Sequence, residues 1–169
     1  MISMSSRSRP SSWSLFLGVF ISVFVALVLT VVQLPGWLFY YWPDWIAIVV
    51  AYWALVAPKR IGPYVGFIIG TLLEVLFVRK FGVMGFGLAT LAFIVNSTSQ
   101  QLRVLSIWQQ MISMGVFIGF FKLLTGWLSG MVAGFTITAE YWYSLLGTVV
   151  IWPFAFILLE ELRRAVRIR

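Results

Sequence analysis

The sequence contains no cysteine and no histidine. Disulfide staples, thiolate or imidazole metal sites and Cys- or His-based catalysis are thereby excluded. Acid is scarce as well, with five Asp and Glu residues against twelve Lys and Arg. Asp44 is the single aspartate, so an aspartyl intramembrane protease would lack its dyad. With no histidine there is nothing to activate a serine, and no phosphate-cradling Gly-Lys-Ser/Thr run occurs. These gaps argue against an enzyme, and no metal or cofactor is expected. Charged residues make up only 10% of the chain, against about a quarter in an ordinary soluble domain.

What the sequence does contain is apolar surface. Of its 169 residues 62% are hydrophobic, and the mean hydropathy is +1.00. A soluble globule of this size has too little interior to hide that much, and a disordered chain would be far more polar. The net charge of +7 gathers at the ends of apolar runs, which fits a membrane surface better than nucleic acid.

Residues 1–12 form a polar, basic cytoplasmic tail, and residues 13–32 then run without a charge. Twenty helical residues reach across a ~30 Å hydrocarbon core. The run is too long for a signal-peptide core and has no A-x-A-like cleavage site, so it is read as an uncleaved first helix. Further apolar segments cover residues 45–57, 64–78, 83–98, 106–128 and 141–159. Breakers separate them: Pro35, Gly36 and Pro43, then Pro58 and Pro63, then Gly130 and Gly134. The segments are too long and continuous for barrel strands. The expected fold is all-α: one polytopic six-helix transmembrane domain over residues 13–159, with a second basic cytoplasmic tail over 160–169. Segments 45–57 and 64–78 are short for a full crossing, so they extend into their loops, lie buried, or form a re-entrant hairpin.

With the N-terminus inside, Arg7, Arg9, Lys59, Arg60, Arg103, Arg163, Arg164, Arg167 and Arg169 fall on the cytoplasmic side, and only Arg79 and Lys80 outside. The excess obeys the positive-inside rule and gives an N-in/C-in topology. Aromatic clusters around Trp37–Trp45 and Trp127–Tyr143 suit headgroup-level anchoring at the outer face.

Glu74 is the only acid within a segment, and Lys122 lies at a matching depth in another. An intramembrane charge usually has a partner or a task. An ion pair between Glu74 and Lys122 is therefore expected, with Arg79 competing. A structural role is preferred to a cation or proton relay, because one acid alone makes a poor relay. Small residues recur every fourth position on the first helix, at Ser14, Gly18, Ser22, Ala26 and Thr30. Such faces admit close helix packing, and this one is the candidate seat for a partner's single span. Gly62, Gly66 and Gly70 make a second stripe, read as packing within the bundle. Trp42, Pro43, Asp44 and Trp45 form either a helix cap or an outer lip offered to a partner. Pro153 should kink the last helix, and Glu160 and Glu161 are spaced to pair with the arginines that follow.

The order of these features carries a resemblance. It runs from the basic N-terminus through Pro43, Asp44 and Trp45, Tyr52 and Trp53, Pro58, Lys59 and Arg60, then Gly66, Gly70 and Glu74, a turn at Gly82, Trp108, Gln109 and Gln110, and finally Trp152 and Pro153. Nearly the whole chain resembles the bacterial MreD family of rod shape-determining proteins. That resemblance implies a non-catalytic inner-membrane subunit of the elongation complex supporting peptidoglycan synthesis and rod shape. Its implied partners are an MreC-like single-span protein, a RodA-type polymerase, a class-B penicillin-binding protein and the MreB/RodZ cytoskeletal system, along with membrane lipid. The implied fold is similar to the substrate-binding subunits of energy-coupling-factor transporters. The alternative is a solute-binding transporter subunit, for which Gln33, Glu74, Asn96, Ser97 and Thr125 are the candidate polar groups.

Overall fold

The computed structural model describes residues 12–32, 35–77, 82–133 and 139–167. These form seven α-helices and no strand. They are α1 (Ser12–Val31), α2 (Trp45–Val56), α3 (Pro63–Leu76), α4 (Val83–Ser97), α5 (Ser99–Leu102), α6 (Ile107–Ala133) and α7 (Ala139–Arg167), with a 3₁₀ turn, Gly36–Tyr41, before α2. The proline breakers stand where the helices stop, whereas Gly130 lies inside α6, which runs on to Ala133. Pro63 opens α3, where its missing N–H is no loss. Gly82 precedes α4 at φ +99°, a left-handed conformation suited to glycine.

Six of these helices coincide with the six apolar segments. Two differences have plain causes. The connection after α4 holds the four-residue α5, too short to leave a periodic signal. The stretch 160–167, within the expected basic tail, is helical and continues α7 by two turns, where the Glu160–Arg163 and Glu160–Arg164 pairs suit a helix. Pro153 stands inside α7, which continues on both sides of it.

The centre of the molecule is α2. Every residue from Ile46 to Leu55 is buried, Tyr52 and Trp53 almost completely. A helix apolar all round has no solvent face and must be enclosed by others; α1, α4 and α7 enclose it. By contrast α3 rests mainly on α4. Gly66 and Gly70 bring those two backbones together: an added Cβ would stand 2.6 Å from the Leu88 carbonyl oxygen and 2.6 Å from Gly85 Cα, respectively. This stripe therefore packs within the bundle, as its spacing suggests.

The core is apolar, but so is much of the exterior, and a few polar groups are buried within. Glu74, Lys122, Gln110, Thr125 and Thr148 are buried, while Phe16, Phe20, Tyr64, Phe93, Val116, Phe154 and Leu158 are exposed. Two stretches, Ile107–Met131 and Tyr141–Ala165, are long and apolar enough to cross a membrane; the other apolar helices are shorter.

Candidate functional site

Polar chemistry collects at the two ends of α2. At its N-terminus, Asp44 lies 2.8 Å from the Lys122 ammonium of α6. Lys122 is buried, and its Nζ sits 4.2 Å above the centroid of the Tyr141 ring. The Tyr141 hydroxyl donates to the Lys122 carbonyl at 3.0 Å and lies 3.0 Å from Thr125 Oγ1. The Asp44 amide donates to Thr148 Oγ1 at 3.0 Å. One residue thus ties the start of α2 to both long helices, its carboxylate to α6 and its amide to α7. Gly147 lets the 3₁₀ turn in, since any Cβ there would collide with the Tyr41 carbonyl.

This geometry corrects the expected partner of Lys122. Glu74 does not pair with it. The Glu74 carboxylate accepts hydrogen bonds from the amides of Gly82, at 2.7 Å, and of Met84. It is almost completely enclosed and sits at the N-terminus of α4, where a negative charge meets unsatisfied N–H groups and the positive end of the helix dipole. The lone acid of the apolar segments is therefore the cap of the next helix. Arg79, the competing partner, lies outside the described residues.

The other end of α2 is held by Arg103, whose role the sequence did not show, and by Glu160, which also makes the arginine pairs its spacing suggests. The Arg103 guanidinium donates to the Leu55 carbonyl at 3.0 and 2.6 Å and to that of Val56 at 2.9 Å. With no basic residue in its own last turn, α2 takes its C-terminal cation from the connection after α5. The Tyr52 hydroxyl donates to Glu160 at 2.9 Å, and Glu160 pairs with Arg163. The signal for Arg103 was only its place in an inner loop, which does not name a target.

The small-residue stripe also turns inward. Gly18, Ser22 and Ala26 are buried, and an added Cβ on Gly18 would meet the Trp53 ring at 3.2 Å. The Trp53 indole donates to Ser22 Oγ at 2.8 Å. The Thr30 hydroxyl bonds back to the Ala26 carbonyl, and the side chain of Ser14 lies outside the described residues. The stripe expected to seat a partner instead seats Trp53 of the same chain. The lip is braced as well: Trp42 donates to the Leu29 carbonyl at 2.9 Å, Trp42 and Trp45 meet edge to face, and Pro43 is buried.

A cavity of about 310 Å³ lies beside Asp44, walled by Thr30, Trp45, Leu73, Met84 and Phe121 among others. Of the polar groups considered for solute binding it gathers none. Glu74 is committed to α4, and Ser97 and Thr125 bond to carbonyls of their own helices. Asn96 lies near Gly62 at the other end, and Gln33 lies outside the described residues. Among the described residues no cluster of acids is placed to hold a metal ion.

Comparison with known proteins fits this architecture. No solved structure matches the chain. A curated relative, the rod shape-determining protein MreD of Haemophilus influenzae, is 26% identical over 161 residues, covering 92% of this chain and 94% of its own. The family model described as rod shape-determining protein MreD matches residues 12–162, from the first helix to the last turns of α7. The chain belongs to the MreD family and is a rod shape-determining protein.

Proposed function

We propose that this chain is a non-catalytic, six-span subunit of the rod elongation complex in the bacterial inner membrane, with both termini in the cytoplasm. The observation that carries the reading is the family match over nearly the whole chain. Three features support the membrane topology. Large apolar side chains are exposed on every long helix, while Glu74 and Lys122 are internal. The cavity beside Asp44 collects the end of α1, the start of α2, the end of α3 and the start of α4, so chain direction alternates. The basic residues favour one side of that alternation. The likeness to energy-coupling-factor subunits rests on the family resemblance alone.

In this reading the protein grips neighbours. An MreC-like single-span partner docks along α1, the first helix, which packs mainly on α2 and α7 among the described residues. Because Gly18, Ser22 and Ala26 are used internally, the docking face moves to the opposite ridge, where Phe16, Phe20, Phe24, Val28 and Val31 are exposed. Trp42 and Trp45 then flank the outer end of that contact. A RodA-type polymerase, a class-B penicillin-binding protein and the MreB/RodZ system complete the assembly in which the subunit acts.

The test is replacement in the native cell. Depletion should turn rods into spheres, and re-expression should restore them. Phe20→Ser with Phe24→Ser should reduce co-purification of the single-span partner while leaving the subunit folded. Rods that persist after depletion overturn the shape role, and unchanged co-purification overturns the α1 ridge.

A further inference from the structure

A second apolar recess has no occupant within the chain. It is a groove of about 460 Å³ between α1 and α7, with α2 as its floor. Val25 and Leu29 form one wall, Leu158 and Leu162 the other, and Ile48 lies beneath. Its walls and floor are almost entirely aliphatic, a lining that suits a slim hydrocarbon chain.

The mouth of the groove names the headgroup. Glu161 lines it and has no ion-pair or hydrogen-bond partner among the described residues. Its neighbour Glu160, by contrast, is fully engaged with Tyr52, Arg163 and Arg164. Arg164 follows Glu161 by three residues, on an adjoining face of α7, with its side chain 65% exposed. A carboxylate and a guanidinium less than one turn apart complement a zwitterion that carries an ammonium and a phosphate. An anionic lipid without an amine would meet Arg164 but be repelled by Glu161.

We propose that this groove is a binding site for an aminophospholipid of the inner leaflet, one acyl chain lying between α1 and α7, its ammonium on Glu161 and its phosphate on Arg164. The proposal rests on the chain being embedded in a membrane and is independent of its role in cell shape.

The test uses the full-length protein in bilayer nanodiscs. Phosphatidylethanolamine and phosphatidylglycerol probes, each with a photoreactive diazirine on the acyl chain, are compared by peptide mapping. The ethanolamine probe should label the peptides carrying Val25 and Leu158, about fivefold more than the glycerol probe. Leu158→Trp, which fills the groove from an exposed position, should remove most labelling by both probes; Val25→Trp is the second such variant and should act alike. Glu161→Gln should keep chain labelling but bring the two probes to parity. Equal labelling of the unaltered protein by the two lipids overturns the headgroup assignment. Labelling that survives both tryptophan variants overturns the groove. So does cross-linking of the groove peptides to a protein partner, with lipid labelling absent, in native membranes. Loss of membrane embedding would show separately, as extraction by alkaline carbonate.

Discussion

Lys122 shows how much one residue depends on its partner. It is buried with one carboxylate and one aromatic ring beside it. Removing that carboxylate leaves an uncompensated charge, which costs about 3 kcal/mol when the survivor is this enclosed. Asp44→Ala should therefore lower the melting temperature in detergent markedly. Asp44→Ala combined with Lys122→Met should recover most of the loss, because no charge is then stranded; a double variant as unstable as the single one would refute the pairing. Glu74→Ala leaves two half-buried amides without their acceptor, at up to about 1–3 kcal/mol each. Glu74→Gln, which keeps one acceptor oxygen, should fall between the two in a thermal melt. Both charged residues were legible in the sequence as groups needing partners, because charge within an apolar run is visible there. Their partners were not. Position along a helix gives depth at ~1.5 Å per residue, but it does not give which neighbour the side chain turns toward. Asp44 was read as a helix cap or an outer lip and Glu74 as half of a pair; Asp44 does stand at the N-cap of α2, but its carboxylate takes the pairing with Lys122, and Glu74 caps α4.

At the scale of elements, the glycines divide into two kinds. Gly70 faces backbone, and an added Cβ has nowhere to go unless α3 and α4 separate. Gly18 faces the edge of the Trp53 ring, which can give by a few tenths of an ångström. Gly70→Ala should thus destabilise by about 1–3 kcal/mol and Gly18→Ala by clearly less, as ranked by melting temperature. Arg103→Ala should loosen the end of α2 and speed hydrogen exchange at the amides of its last turn, since the Leu55 and Val56 carbonyls lose their charged donor. Helix existence was legible because apolar runs and proline breakers coincide with real ends. What α5 and the last turns of α7 share is that local contacts, a four-residue turn and Glu–Arg pairs, extend helix where hydropathy had already fallen. The first-helix stripe was legible as a close-packing face, but spacing alone could not say whether the approaching helix came from this chain or another.

At the scale of the whole molecule, the exposed apolar side chains and the alternating chain direction make topology the decisive measurement. Single cysteines placed at Lys59 and at Ser106 should be labelled from the cytoplasmic side, and one at Gly36 from the opposite side. Labelling of all three from one side would refute six crossings. The enclosure of α2 also bears on how the chain is made. This helix leaves the ribosome second, yet the groups that secure it, Arg103, Lys122, Thr148 and Glu160, emerge only afterwards. The nascent protein must hold its most central piece in a provisional setting until synthesis is almost finished, so a chain broken off before the last helix is raw material for proteolysis rather than a smaller working subunit.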